Sequence, residues 1–263
     1  MLNQIAAIHG TGAAAPVSPP ISGYKLWLDA SDTSTITQSG GAVSQWTDKS
    51  VNGYTFTQAT AGNKPTTGTR TQNGLNVLDL DGGDLLTSSA AASTWTFLSN
   101  NTQWTAFYAF KTDISSFSTI FATAAAQSSR VGTTVYLNSP SAYSLGHETA
   151  NGTEGSASLT NTSALNSIDA NFTYITLLSD ANNATAANRS DLRVKQGSAI
   201  KNNVKTTATN NGTPTYTLEI GMASNLGAYG LDGMLGEILI YTSTLSSGDI
   251  LSTQEYLASK WGV

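Results

Sequence analysis

Read as an extended chain, Gln103-Trp-Thr-Ala-Phe-Tyr-Ala-Phe110 places Trp104, Ala106, Tyr108 and Phe110 on one side. Side chains alternate across a strand, so this period of two specifies a half-buried β-strand and opposes a helix of period 3.6. Related text recurs at Tyr24 to Asp29, at Gly74 to Asp81 (stopping at Gly82-Gly83), and at Phe117 to Thr123. It continues at Phe172 to Leu178, Tyr216 to Gly221 and Met234 to Tyr241. Gly/Asn/Ser/Thr runs separate these segments, and Asn151 to Thr162 and Thr206 to Pro214 read as loops. Many short strands without intervening helices predict an all-β, antiparallel sandwich.

One helix is predicted, at the C-terminus. Ser246 followed by Asp249 resembles a capping box, and Gly262 is a natural stop. Ile250, Leu251, Gln254, Leu257, Ala258 and Trp261 then share one helical face, with Trp261 plugging the base of the sandwich.

Composition narrows the functional classes. The 263 residues contain no Cys, which removes disulfides, thiolate zinc sites and cysteine nucleophiles together. Charged residues make up 11%, against roughly 25% in an ordinary domain. Net charge is −5 and the Lys and Arg residues are scattered, so the basic footprint of a nucleic-acid binder is missing. No stretch of 18 apolar residues marks a membrane span, and the N-terminus lacks the basic start and apolar run of a secretory signal.

Residues 1–20 differ from the rest. Leu2, Ile5 and Ile8 form a short apolar patch ahead of a small-residue stretch and Pro16-Val-Ser-Pro-Pro20. This reads as an extended arm, an apolar tip on a stiff spacer suited to anchoring, with residues 21–263 as one sandwich domain.

Two ordered blocks carry a family resemblance. The first runs through Leu26-Trp-Leu-Asp-Ala-Ser-Asp32, Val43-Ser-Gln-Trp-Thr-Asp-Lys-Ser50, Lys64-Pro65 and Asn73 to Gly82. The second joins Leu231-Asp-Gly-Met-Leu-Gly-Glu-Ile-Leu-Ile-Tyr241 to Tyr256-Leu-Ala-Ser-Lys-Trp-Gly262. Together they resemble the two ends of concanavalin A-like lectin/glucanase domains of the laminin-G or pentraxin type, while the middle is generic. The resemblance implies a jelly roll of two curved sheets, with loops that in some members bind sugars or calcium. Such domains occur in bacteriophage virion and bacterial surface proteins, where adhesion and decoration are their commonest uses.

Hydrolytic members of that superfamily carry Glu-x-Asp-x-x-Glu on one strand, and no such segment is present. Asp79-Leu-Asp81 is the nearest imitation, and Glu237 stands alone as a structural carboxylate held by local hydrogen bonds. His9 and His147 are too far apart to suggest a transition-metal site, and no Gly-x-Ser-x-Gly elbow occurs. Calcium would find oxygen donors in Asp29, Asp32, Asp48, Asp81, Asp84 and Asp232, but no calcium-loop motif is present and turn chemistry is the favoured role. Trp27, Trp46, Trp104 and Trp261 read as core anchors. Trp95, Tyr136, Tyr143 and Tyr229 fall in loop-like text as aromatics for glycan contact.

Three readings stand at this point. The first is a non-catalytic virion or extracellular-surface protein, multi-copy or homo-oligomeric, joined to other virion or surface proteins through residues 1–20 and needing no cofactor. The second is a free-standing carbohydrate-binding module; the third is a polysaccharide-degrading enzyme, a glycosidase or lyase whose catalytic residues the sequence does not reveal.

Overall fold

The protein is seen in a computed structural model that describes residues 18–100, 102–113, 117–124, 131–138, 144–151, 157–164, 171–195, 213–224 and 229–263. Leu2, Ile5 and Ile8, expected from sequence to anchor the arm, and Tyr143, expected to contact glycan, lie outside them. The first eight strands are β1 (Leu26–Asp29), β2 (Ile36–Ser39), β3 (Ala42–Thr47), β4 (Thr55–Thr57), β5 (Thr66–Gln72), β6 (Leu75–Asp81), β7 (Leu86–Ser88) and β8 (Gln103–Thr112). The second eight are β9 (Ser118–Ala122), β10 (Val131–Asn138), β11 (Ser144–Asn151), β12 (Ala157–Ala164), β13 (Thr173–Asp180), β14 (Ser190–Val194), β15 (Glu219–Ile220) and β16 (Asp232–Tyr241). One helix, α1 (Ser247–Trp261), closes the chain.

The strands hydrogen-bond in the order β12-β11-β10-β9-β15-β7-β4-β3-β5-β6-β16-β8-β13-β14, with β1 added to β16 and β2 to β3. This continuous antiparallel sheet folds over where β3 meets β5 at Ala42 and Thr66. It becomes a jelly-roll sandwich of two layers, a first sheet of β5, β6, β16, β1, β8, β13 and β14 and a second of the remaining strands. The stretch read as a loop at 151–162 contains the start of β12: its Thr-rich text pairs with β11 because an open strand edge lies beside it.

Between the layers lie Leu28, Leu78, Trp104, Tyr108, Ile175 and Leu235 from the first sheet and Val43, Trp46, Phe56, Phe121 and Val135 from the second. Tyr108 crosses the gap to stack on Phe121 at 5.2 Å. Each large side chain buried here contributes roughly 1.5–3 kcal/mol. Asn73-Gly74, both at positive φ (50° and 74°), join β5 to β6 by the two-residue turn that matches strand twist.

A second core covers the other face of the first sheet. Trp27, Phe107, Phe172, Met234 and Leu239 meet Ile250, Tyr256, Leu257 and Trp261 of α1. Strand β16 is therefore buried on both faces, which explains its continuous apolar text. Gly236 permits the approach, since a Cβ there would stand 2.8 Å from Phe172 and 2.9 Å from Trp261. The Ser246 hydroxyl accepts from the Asp249 N–H at 3.2 Å and donates to its carboxylate at 2.8 Å, and Gly262 ends the helix at φ +68°. The buried stripe is rotated from the expected one: Leu251 is 46% exposed, while Tyr256 and Lys260 point inward.

That rotation follows from Glu237, which is 0% exposed. One of its oxygens accepts from Trp27 Nε1 at 2.7 Å and Tyr256 Oη at 2.8 Å. The other accepts from Trp261 Nε1 at 3.0 Å and pairs with Lys260 Nζ at 3.0 Å. The bonds are thus long-range, not local as the sequence suggested. Burial raises the carboxyl's pKa, with Lys260 opposing. All four groups around it are donors, so the cage fits the ionised form. Lys260 also pairs with buried Asp29 at 2.8 Å. Burial would raise the Asp29 pKa, but Lys260, Ser31 and Lys49 outweigh it and hold the carboxyl below its ordinary value.

Removing one partner of a buried ion pair strands the other. Glu237→Ala is predicted to lower unfolding free energy by roughly 3–5 kcal/mol in urea titrations, with Glu237→Gln intermediate. An unchanged urea midpoint would show that the helix docks without the carboxylate.

Candidate functional site

With α1 on the first sheet, the outer face of the second sheet carries the polar residues. Cross-strand partners share a face, so the register defines a row. Gln45 pairs with Thr57, Thr57 with Thr87, Thr87 with Glu219, Glu219 with Ala122 and Ala122 with Thr134. Phe56, Leu86 and Ile220, the strand neighbours of these residues, point into the core, which fixes the row on the outside. Thr57 is exposed, Gln45 and Thr87 are half-buried, and Glu219, Ala122 and Thr134 are buried. The row thus descends from open surface to a covered carboxylate.

Glu219 accepts from the Ser224 N–H at 2.8 Å. Burial raises its pKa, with the Ser224 bond opposing. Beside it, β9 is bulged: Phe121 pairs with Val135 and Thr119 with Tyr136, leaving Ile120 extra. The bulge turns both Ile120 and Phe121 into the core and re-aims Thr119 outward, beside Tyr136. The Thr119 hydroxyl is fully buried and has no hydrogen-bond partner.

Tyr136 stacks on Phe117 at 4.9 Å, and Phe117 meets Tyr229 edge-on at 5.5 Å. Tyr229 is 56% exposed and held at φ +69°, a conformation costly for a bulky residue. Its carbonyl accepts from the Thr119 N–H at 2.8 Å, and the next N–H, of Gly230, donates to Gly82 at 3.2 Å. The Tyr229 ring and the row of Thr and Gln are therefore open on one side of the second sheet, while Glu219 and the Thr119 hydroxyl on that side are buried.

The four aromatics proposed from sequence separate. Tyr229 stands at the surface. Tyr136 is 1% exposed and supports the Tyr229 stack from below, which corrects its reading as a ligand-facing loop residue. Trp95 is 0% exposed in a 3-10 turn (Ala92–Leu98), packed against Tyr54, Phe56 and Phe97, with its indole donating to Thr217 at 3.1 Å. It plugs one end of the core, so it too is corrected. Glu237 is sealed under its donor cage and cannot meet a substrate. Glu219 and Thr119 were missed: each lies in short text without a motif, and only strand register exposes their shared face.

The turn Asp residues cap backbone and neighbouring side chains. Asp32 accepts from Ser34, Asp48 from Trp27 and Ser50, Asp81 from Gly83 and Asp84 from Asp81. No group of three or more His, Asp or Glu among the described residues is arranged to hold a metal ion. No helix among them is long and apolar enough to cross a membrane.

No family model matches this sequence, and no curated protein matches it. Solved structures do. The binding domain of botulinum neurotoxin serotype G aligns with a TM-score of 0.61 at 12% identity, over 91% of this chain and 54% of that one. An arabinofuranosidase complexed with arabinofuranosyl-alpha-1,2-xylobiose aligns at 0.56 and 13%, over 94% and 61%. Botulinum neurotoxin type C, whose cell entry depends on interaction with two ganglioside molecules, aligns at 0.55 and 10%, over 89% and 51%. The likeness is one of fold. This chain spans between about half and three-fifths of the length of these three.

Burial pushes the buried Asp84 carboxyl up to about 6, the Asp81 N–H opposing. The folded state therefore holds this proton more tightly than the unfolded chain does. Stability from this group is present below about pH 4 and is lost as pH rises through about 6, a change of roughly 1–3 kcal/mol. Asp84→Asn keeps an acceptor for the Asp81 N–H, and urea midpoints measured from pH 4 to 8 should lose this slope. A slope identical to wild type would assign it to other groups.

Proposed function

We propose that this chain is a non-catalytic carbohydrate-binding β-sandwich, and that it takes its ligand on the outer face of the second sheet. The observation that carries the reading is the outward Gln45–Thr57–Thr87 row, with Thr57 exposed and Gln45 and Thr87 half-buried, on the same side of the second sheet as exposed Tyr229. Sugars offer hydroxyls to carboxylate, amide and hydroxyl acceptors, and C–H faces to an aromatic ring. This face supplies both kinds of contact. The fold likeness to a toxin that engages gangliosides and to a sugar-bound arabinofuranosidase agrees with this use. A likeness to a glycosidase does not bring its chemistry. Hydrolysis needs two carboxylates about 5–10 Å apart across the sugar, and the row neighbours of Glu219 are Thr87 and Ala122.

Display on a virion or cell surface is a finer proposal. Ile21 is tied to the Tyr241 end of β16, where its carbonyl accepts from Tyr241 Oη at 2.9 Å. Tyr229 lies just before the Asp232 end, about 30 Å away along the strand. Attachment through residues 1–20 would leave the sugar-facing end free.

Isothermal titration against a panel of oligosaccharides tests the reading. At least one should bind without product release, and Tyr229→Ala and Thr57→Ala should each weaken it about tenfold, or about 1.4 kcal/mol, with the fold retained. A panel without binders, or release of reducing sugar, would overturn it.

A further inference from the structure

Asp29, Glu237 and Lys260 meet under the helix, and carbohydrate binding makes no use of them. Asp29 is 2% exposed, Glu237 0% and Lys260 4%. We propose that they form an intramolecular amide bond, with Lys260 Nζ joined to Asp29 Cγ and Glu237 acting as the proton acceptor.

The reacting atoms are already gathered. Lys260 Nζ stands 2.8 Å from Asp29 Oδ1, 3.0 Å from Glu237 Oε2 and 3.1 Å from Tyr256 Oη, so each of its hydrogens has an acceptor. A carbonyl bond is about 1.2 Å long, so Nζ is no more than about 4 Å from Asp29 Cγ, near the roughly 3–3.5 Å of an attacking pair. The rings of Tyr256 and Trp261 lie 5.5 Å and 5.3 Å from the nitrogen. The two oxygens of Asp29 are held differently. Oδ1 accepts from the Ser31 N–H at 3.1 Å and the Ser31 hydroxyl at 2.6 Å, which suits it to remain as the amide carbonyl. Oδ2 accepts from Lys49 Nζ at 3.1 Å, a cation placed to ease its departure.

The step balances without any other reagent. Glu237 takes one proton from the Lys260 ammonium, and burial keeps this carboxylate more basic than usual, which favours the transfer. The freed amine attacks Cγ, the Cγ–Oδ2 bond breaks, and Glu237 returns its proton. One ammonium hydrogen stays on the amide nitrogen and the others leave with Oδ2 as water. Free in solution, an ammonium and a carboxylate remain apart. Here the pair is fixed at an effective concentration of roughly 10⁵–10⁸ M. The bond also removes a positive and a negative charge whose burial is costly.

Such a bond would tie the first strand, β1, to the last turn of α1 and enclose most of the sandwich. It would give a chain without cysteine the kind of clasp that a disulfide supplies elsewhere. Force entering through residues 1–20 would pass from Asp29 to the helix without unravelling the sheets.

Intact-mass spectrometry of the denatured full chain tests the proposal. Wild type should be one water lighter than the sum of its residues, and digestion should release the Asp29 and Lys260 peptides joined together. Lys260→Arg keeps a cation between the carboxylates but offers no amine, and it should show its full mass. Glu237→Gln, judged folded by circular dichroism, should also stay unlinked. Wild type at full mass, water loss that persists in Lys260→Arg, or a Lys260 link to Glu237 would each overturn the inference. Complete linkage in Glu237→Gln would overturn the carboxylate's part in it.

Discussion

The Glu237 carboxylate, buried beneath two indoles, a phenol and the Lys260 ammonium, is the interaction on which the arrangement of this molecule rests. It joins β1, β16 and α1, which lie at opposite ends of the sequence. An ionised group taken out of water is expensive unless every lone pair finds a donor, and here each oxygen has two. Lys260 is compensated twice, by Glu237 and Asp29. Such a cage admits one orientation of the helix, which is why Tyr256 and Lys260 turn inward and Leu251 outward.

Docking α1 on the first sheet has a consequence for function. The outer surface of β16, β8 and β13 becomes core, filled by Phe107, Phe172, Met234 and Trp261. The second sheet keeps its outer face polar, with Thr and Gln on the open strands and Glu219 buried beside Ser224.

Much of the fold was legible in the text. The alternation around Trp104 to Phe110 gave a strand with its core face correct, and Ser246, Asp249 and Gly262 marked the helix ends. Trp27, Trp46, Trp104 and Trp261 are buried as their positions on strands and helix suggested. The site was less legible, for physical reasons. Trp95 sits in a 3-10 turn, which has neither the strand nor the α-helix period, so its burial left no pattern. Glu219 belongs to a two-residue strand. The row joining it to Thr87, Thr57 and Gln45 exists only through pairing between segments distant in sequence, and a one-residue slip would send each of these side chains to the other face. The β9 bulge is such a slip, made locally, and it aims Thr119 outward.

The central claim is that ligand meets the second sheet while the first is occupied by the helix. Hydrogen–deuterium exchange of the full chain, with and without xylotetraose, addresses it directly. The account predicts slowed exchange in Thr55–Thr57, Leu86–Ser88 and Glu219–Ser224, with β6, β8 and β16 unchanged. Protection confined to β6, β8, β16 or the helix would contradict it.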